Sequence, residues 1–465
     1  MKSSYWPPRG LRPYLAGAAA ARAGDEMSGP ALLLLGLAVT GRPAAGSGLL
    51  ASVTIAGAAG GPVFGALLDR SRRPDRVLAG TLAAYALGLV AVQAAAGGLP
   101  MPAVAAIALA AGLFSPAVAG GWTAQLPRLV TGRELARGSA FDALTYSAAS
   151  LAGPALAAAL AAGLGARAAV LTAAALVALA VPAARSLDRP AMIAKDFEPG
   201  TKKPSRSWTA RGRREAAGGQ GEATLHRQMA AGFAVIATRR PLLRATVTSV
   251  VSYAGIGMLL ACCPVLGEQR LGGAARGALL ISAMAAASLA ANAILARRPG
   301  RGEPDIWLLA STLVIGASLA AAARAPGWLP LAAVALAGTG EGPQLTALFA
   351  VRHRETPAHL RGQVYTTAAS LKIGGMAAGA ALAGPLLAGA VPGGGSVTGC
   401  LLIAAGLELC AAAAYLRAGA TGRAGATRRA GATGVTGSRR RHVPAAAPPG
   451  SARADGDGES AVGSG

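Results

Sequence analysis

Apolar residues run through this chain in long blocks, and charged residues gather in short breaks between them. The stretch FGALLDRSRRPDRV, Phe64 to Val77, shows the pattern. It follows LLASVTIAGAAGGPV, precedes LAGTLAAYALGLVAVQAAAG, and crowds Asp69, Arg70, Arg72, Arg73, Asp75 and Arg76 into one turn. The blocks have no short period, and each approaches the ~20 residues that a helix needs to cross a bilayer core of ~30 Å. Hydropathy predicts about twelve spans, near 13–40, 45–68, 76–97, 101–126, 139–163, 166–184, 242–266, 273–296, 305–323, 327–351, 363–390 and 396–416. The expected fold class is an all-α polytopic membrane protein.

An even number of spans puts both termini on one side. With the termini in the cytoplasm, cytoplasmic connections hold Arg70, Arg72, Arg73 and Arg76, then Arg128, Arg133 and Arg137, then Arg297, Arg298 and Arg301, and finally Arg352, Arg354 and Arg361. The opposite side receives Arg42, Arg167, Arg270, Arg276 and Arg324. Alternate loops carry the charge, as the positive-inside rule requires. Cytoplasmic termini in a multi-pass protein of the cell membrane are therefore expected.

Composition agrees: 53% of the 465 residues are hydrophobic and 14% charged, where a soluble chain has about a quarter charged. The net charge of +24 invites a nucleic-acid reading, but the loop asymmetry accounts for most of it. Aromatic residues make up only 4%, so stacking platforms for bases are scarce, and nucleic acid is not expected as a partner. The bilayer is. Cys262, Cys263, Cys400 and Cys410 lie inside apolar runs, and His226, His353, His359 and His442 lie outside them. The cysteines read as small buried hydrophobes, with no metal site, disulfide or cofactor expected. No nucleophile motif or phosphate loop appears, so the chain is not read as an enzyme. The first residues have a basic start, but the apolar stretch is short and Arg22 interrupts the cleavage box, so no removable signal peptide is expected.

Five regions follow from these patterns: residues 1–12, a first bundle at 13–184, a linker at 185–241, a second bundle at 242–416, and a tail at 417–465. The linker is polar and basic and ends in HRQMAAGFAVIATRRPLLR, read as a short amphipathic helix on the membrane surface. The tail is low in complexity and is expected to be disordered, with its basic part near anionic lipid. The bundles repeat each other. Arg72-Arg73-Pro74 answers to Arg297-Arg298-Pro299 at an offset of 297 − 72 = 225, and Arg137-Gly138 to Arg361-Gly362 at 361 − 137 = 224. LAGPALAAALA and LAGPLLAGA follow in order. Two pseudo-symmetric bundles of six helices in parallel orientation are expected.

Charge inside a span is costly and marks function. Span 1 holds Arg22, Asp25 and Glu26, at spacings of three and four that let the acids neutralise the arginine. Gly29-Pro30 follows, and a break there would free backbone groups toward a cavity. Asp25 or Glu26 is read as a coupling or substrate group, against the plainer alternative of an ion pair within one helix. Glu341, flanked by Gly340, Gly342 and Pro343, falls near mid-membrane in span 10, and Lys372 lies deep in span 11. These two can form a neutral pair, unless Lys372 snorkels to the surface. Glu408 and Asn292 are read as packing or interface residues. Gly153-Pro154 in span 5 and Gly384-Pro385 in span 11 are expected to bend their helices.

The loop Gly65-Ala66-Leu67-Leu68-Asp69-Arg70-Ser71-Arg72-Arg73 resembles the signature G-x-L-x-D-R-x-G-R-[RK] between spans 2 and 3 of the major facilitator superfamily (MFS). The resemblance covers nearly all of residues 11–417. In the linker, GFAVIATRRPLLRA is similar to the segment leading into span 7 in drug-, macrolide- and siderophore-exporter-like branches. It implies the MFS fold and alternating access, with the loop as a gate. Asp69, at the end of span 2, can cap or pair with helix ends across the domain interface, while Arg70, Arg72 and Arg73 hold the loop at the surface. Ile294 stands where the second half would repeat Asp69 (69 + 225 = 294), so an asymmetric gate is expected. Gly153-Pro154 partly resembles the antiporter motif of span 5, with Ala157-Ala158 in place of its glycines.

The function expected is proton-coupled efflux of a small amphipathic compound by a monomer. Protonating a buried carboxylate removes its charge and changes which opening is favoured. Uptake of a nutrient or siderophore-like solute is the alternative within the class, and a non-transporting receptor or scaffold the alternative outside it. Ionisable residues at mid-depth favour transport.

Overall fold

The computed structural model describes residues 11–130, 132–187, 225–297, 303–389 and 396–434. Thirteen helices build it: α1 (Arg12–Thr40), α2 (Pro43–Arg70), α3 (Pro74–Ala95), α4 (Met101–Gly112), α5 (Gly132–Leu164), α6 (Ala166–Ser186), α7 (Leu225–Thr238), α8 (Arg240–Leu266), α9 (Gly277–Arg297), α10 (Pro304–Arg324), α11 (Leu329–Glu355), α12 (Arg361–Leu387) and α13 (Val397–Gly434). Shorter helical turns, the α-helical Leu126–Leu129 among them, also occur between them. Helices α1–α6 are the first six predicted spans, and α8–α13 the second six. Proline opens α2, α3 and α10, a position where its missing N–H costs nothing. Gly41, at φ +67°, closes α1 by donating its N–H to the Leu37 carbonyl at 2.8 Å.

Ten helices among the described residues are long and apolar enough to cross a membrane. The two long helices outside that set are α1 and α11, which carry Arg22, Asp25, Glu26 and Glu341.

Several elements differ from expectation. α4 ends at Gly112, and a π-helical turn, Ala117–Gly121, follows Pro116. Hydropathy cannot see this interruption within one apolar run. α1 passes through Pro30 without the break read there; α5 and α12 also stay helical at Pro154 and Pro385, and a helix can bend at a proline while remaining continuous. A proline inside a packed membrane helix removes one hydrogen bond that neighbouring helices compensate. α13 continues to Gly434, past the boundary read at Leu416. The tail beyond Gly434 and the linker from 188 to 224 lie outside the described residues. The chain divides into one unit of Met1–Ala418 and another of Gly419–Gly465, and everything below concerns the first.

Each half has its own apolar core. One gathers Tyr14, Leu32, Leu82, Tyr85, Trp122 and Val177 from α1–α6, and the other Tyr253, Leu259, Leu280, Ile315 and Leu401 from the second six helices. The halves meet along two seams, α2 on α12 and α5 on α9, with α11 also on α5. Exchanging the halves turns one seam into the other, as the internal repeat requires. In the α2–α12 seam, a Cβ on Gly61 would stand 2.2 Å from the Thr366 carbonyl oxygen, and one on Gly65 2.2 Å from Thr366 Oγ1. Only glycine lets the backbones approach this closely. Thr366 Oγ1 then donates to the Gly61 carbonyl at 2.7 Å, Ser370 Oγ donates to the Gly57 carbonyl at 2.7 Å, and the Gly61 N–H donates to Ser370 Oγ at 2.9 Å. In the other seam Asn292 Nδ2 donates to Ser147 Oγ, which also meets Ser288 Oγ, each at 2.9 Å.

The amphipathic helix α7 buries its apolar face on the protein. Ile236 packs with Leu242, Leu360 and Val364, and α7 touches α2, α8 and α12 together. A Cβ on Gly232 would stand 1.9 Å from Gln363 Cγ, so glycine is needed where the linker crosses the seam.

Candidate functional site

Arg22 is the most deeply buried cation among the described residues, at 1% exposure, and its partner is Asp142 of α5, at 0%. Nη1 of Arg22 donates to Asp142 Oδ1 at 2.9 Å and to the Asp142 carbonyl at 2.8 Å. Nη2 donates to Asp142 Oδ2 at 3.2 Å and to Thr123 Oγ1 at 2.9 Å. Thr145 accepts a further bond, and the guanidinium lies 3.7 Å from the centre of the Tyr146 ring. Tyr14 and Thr123 donate their hydroxyls to the same carboxylate at 2.7 and 2.8 Å. This overturns the pairing of Arg22 with Asp25 and Glu26. Helical spacing permits those contacts, but α5 brings an acid with its own hydroxyl donors to the same point. Sequence reasoning passed over Asp142, although a charge inside the predicted span 139–163 is a signal that could have singled it out.

Asp25 turns away from Arg22. Its Oδ1 accepts from the Tyr85 hydroxyl at 2.7 Å and from Ser115 Oγ at 3.0 Å, so α3 and the interruption after α4 position it. Glu26 makes no hydrogen bond or ion pair among the described residues. It sits mid-helix, half-buried, and Gly153 packs on it: a Cβ there would stand 2.7 Å from Glu26 Cβ. Pro30 has no N–H to offer the Glu26 carbonyl, so the backbone at Glu26 is also short of a donor.

Across the interface, Glu341 Oε1 accepts from the Tyr253 hydroxyl at 3.0 Å and Oε2 from Ser288 Oγ at 2.6 Å. Lys372 forms no ion pair with Glu341, contrary to expectation. Tyr253 comes between them: the Lys372 ammonium lies 3.9 Å from the centre of its ring and 5.8 Å from that of Tyr146. Asp25, Glu26, Tyr146, Glu341 and Lys372 are all only half-buried, although each lies near the middle of its helix. They therefore border a solvent-reachable space between the halves. Beneath it, toward the arginine-rich end, Ala124, Ala143, Leu345, Phe349 and Tyr365 from both halves form one cluster. The space is thus floored at that end.

Glu408, at 0% exposure, accepts from Ser252 Oγ at 2.8 Å inside the second bundle. Asn292 joins Ser147 to Thr346, whose hydroxyl donates to Asn292 Oδ1 at 3.0 Å. Gly384 has open space where a Cβ would be, and neither it nor Pro385 reaches the central cluster.

At the arginine-rich end, the Asp69 carboxylate accepts the backbone N–H groups of Gly362 at 2.8 Å and Gln363 at 2.7 Å. These open α12, so an acid of one half caps a helix of the other. Arg70, Arg72 and Arg73 are exposed. Ile294 is 57% exposed on the outer face of α9; the inter-half polar contacts of that helix come from Ser288 and Asn292. Arg352 and His353 were assigned to a solvated loop by sequence, yet they are 3% and 7% exposed. Arg352 Nε and Nη2 and both ring nitrogens of His353 have no partner. Their place near the end of α11 made the burial invisible to hydropathy. Among the described residues no group of acids, histidines or cysteines could hold a metal ion.

The sequence profile of the Major Facilitator Superfamily matches residues 14–380. No curated protein matches the chain. Solved structures do: the human organic anion transporter MFSD10 (TETRAN) is 17% identical, with a TM-score of 0.63 over 88% of this chain and 100% of that one. A bacterial homologue of the iron transporter ferroportin, in its outward-facing state, is 16% identical, with a TM-score of 0.64 over 89% of this chain and 100% of that one. The E. coli fucose:proton symporter FucP is 15% identical, with a TM-score of 0.60 over 88% of this chain and 99% of that one. At these identities the likeness is one of fold.

Proposed function

Because the chain belongs to the Major Facilitator Superfamily, a family of membrane transporters, we propose that it exports a small amphipathic compound in exchange for protons. The observation that carries this reading is the imbalance in the central space. Asp25, Glu26 and Glu341 face Lys372 there, with Arg352 one layer toward the arginine-rich end, because Asp142 already neutralises Arg22. A surplus of carboxylates at mid-depth is stable only with protons or a bound cation, and changing that occupancy changes which opening is favoured. Alternation then uses the two seams. Asp69, Arg70, Arg72, Arg73 and Gly65 act as the gate at the arginine-rich end, taken as cytoplasmic, and the contacts of Asp69 with the start of α12 support that role. The exporter-like segment GFAVIATRRPLLRA supports the outward direction. The monomer, with one bundle pair per transport path, is the working unit.

Glu26 is the coupling acid in this reading, because Asp25 and Glu341 each hold two hydroxyl donors and Glu26 holds none. Glu26→Gln is expected to abolish proton-driven flux in inverted vesicles, by about tenfold or more, while substrate exchange without a gradient survives. Asp25→Asn is expected to retain measurable proton-driven flux. If Glu26→Gln keeps full pH-driven flux and Glu341→Gln loses it, the coupling acid is Glu341.

The orientation has its own test. A single cysteine introduced at residue 200 of the linker is expected to react with a membrane-impermeant maleimide only after the cells are opened. Labelling in intact cells would reverse the topology and, with it, the direction of transport.

A further inference from the structure

Lys372 occupies an unusual place for a lysine in the middle of a membrane protein. Two carboxylates, Glu26 and Glu341, act on it electrostatically, yet it pairs with neither. Its ammonium lies instead over the face of Tyr253, 3.9 Å from the ring centre, with the Tyr146 ring 5.8 Å away on the other half. An ammonium resting on an aromatic face at a half-buried site marks that face as one suited to cations. A four-carbon stem lets the group leave that face, because lysine is a mobile point charge.

The surrounding charges set what could replace it. Arg22 is neutralised by Asp142. Three acids remain, Asp25, Glu26 and Glu341, against Lys372 and, one layer toward the arginine-rich end, the unpartnered Arg352. With all of these ionised, the carboxylates exceed the cations by one. The aromatic walls, Tyr146 and Tyr253, come from opposite halves, and Phe349 extends the Tyr146 wall toward the floor, its ring centre 5.9 Å from that of Tyr146. The space therefore offers one net negative charge beside flat apolar surface.

We propose that the substrate is an organic monocation with an apolar body, and that Lys372 is a built-in competitor for its site. This rests on the exporter reading above. The cationic centre of the substrate takes the Tyr253 face, and the displaced ammonium swings onto Glu341 or Glu26, making the ion pair that is absent when the site is empty. Lys372 thereby sets specificity: it holds the empty site near neutrality, weakens binding of the monocation, and admits a single positive charge.

The test is equilibrium binding of radiolabelled tetraphenylphosphonium to the full-length protein in nanodiscs, with no proton gradient. Lys372→Met is expected to tighten binding about tenfold, the worth of a half-buried cation on an aromatic face. Glu341→Gln is expected to weaken it by a similar factor. Lys372→Arg, which keeps the charge, controls for folding and is expected to bind as weakly as the wild type or more so. An aromatic sulfonate is expected not to bind. Unchanged or weaker tetraphenylphosphonium binding in a folded Lys372→Met protein overturns the proposal, as does sulfonate binding that Lys372→Met removes. Binding as expected without proton-driven flux would defeat the exporter reading alone. Proton-driven flux of neutral compounds without cation binding would defeat only the present inference.

Discussion

Asp142→Asn is expected to cost about 3–5 kcal/mol of stability, the typical loss when one partner of a buried ion pair is removed. Little folded protein should survive extraction, since a folded chain has only about 5–15 kcal/mol in total. The size of the effect follows from what Arg22 would face afterwards. The guanidinium is 1% exposed and cannot reach water. Its remaining acceptors would be neutral hydroxyls, the Asp142 backbone carbonyl, and the face of Tyr146. The asparagine amide would also meet hydroxyls that now donate to a carboxylate, those of Tyr14 and Thr123. The double variant Arg22→Met, Asp142→Leu should recover most of the stability, because replacing a buried pair with apolar groups of similar volume is often neutral or better. Thermal inactivation followed by size exclusion in detergent measures both. A folded, fully stable Asp142→Asn protein would mean that Arg22 is neutralised by something other than α5.

The two results together separate what the sequence carries from what only the fold supplies. Span positions were legible to within a few residues, because a block of apolar residues of the right length has few alternatives in a bilayer. The repeat was legible too, and it anticipates two seams that exchange with the halves. The unusual cost of α1 and α11 was also visible, since both interrupt their apolar runs with charge. Pairing was not legible. Arg22 has two acids at helical spacing on its own helix and takes a third from α5, 120 positions away in sequence. Tyr253 could not be seen to separate Lys372 from Glu341, because aromatic residues in spans carry no signal of what they face. Arg352 and His353 were hidden for a related reason: hydropathy marks where a helix leaves the apolar layer, and it says nothing about which terminal residues another helix covers. The interruption after α4 left no mark either, although Pro116 lies at its centre and Ser115, beside it, reaches Asp25.

At the α2–α12 seam, Asp69→Asn is expected to leave the folded yield near normal and to shift the closed form of the arginine-rich end toward opening. Asp69 accepts two backbone N–H groups at the first turn of α12, at 2.8 and 2.7 Å. Hydrogen bonds to a charged group are each worth about 1.5–3 kcal/mol, and a carboxylate at a helix N-terminus adds a favourable interaction with the helix dipole. Asparagine keeps one acceptor but turns an NH2 group toward an N–H donor. A loss of about 2 kcal/mol is therefore reasonable, roughly a thirtyfold change in the closed-to-open ratio. The bundle cores are untouched, because each closes without the seam. Thr367, at 0% exposure on α12, reports the change: maleimide labelling of a Thr367→Cys protein should speed up when Asp69→Asn is added, and transport should fall by about tenfold or more. Ile294→Ala is the control. Ile294 is 57% exposed and carries no acid to cap a helix, so neither labelling nor flux should move. Unchanged labelling and flux in Asp69→Asn would mean that the charged loop only orients the chain in the membrane, and that closure rests on the glycine contacts of Gly61 and Gly65 alone.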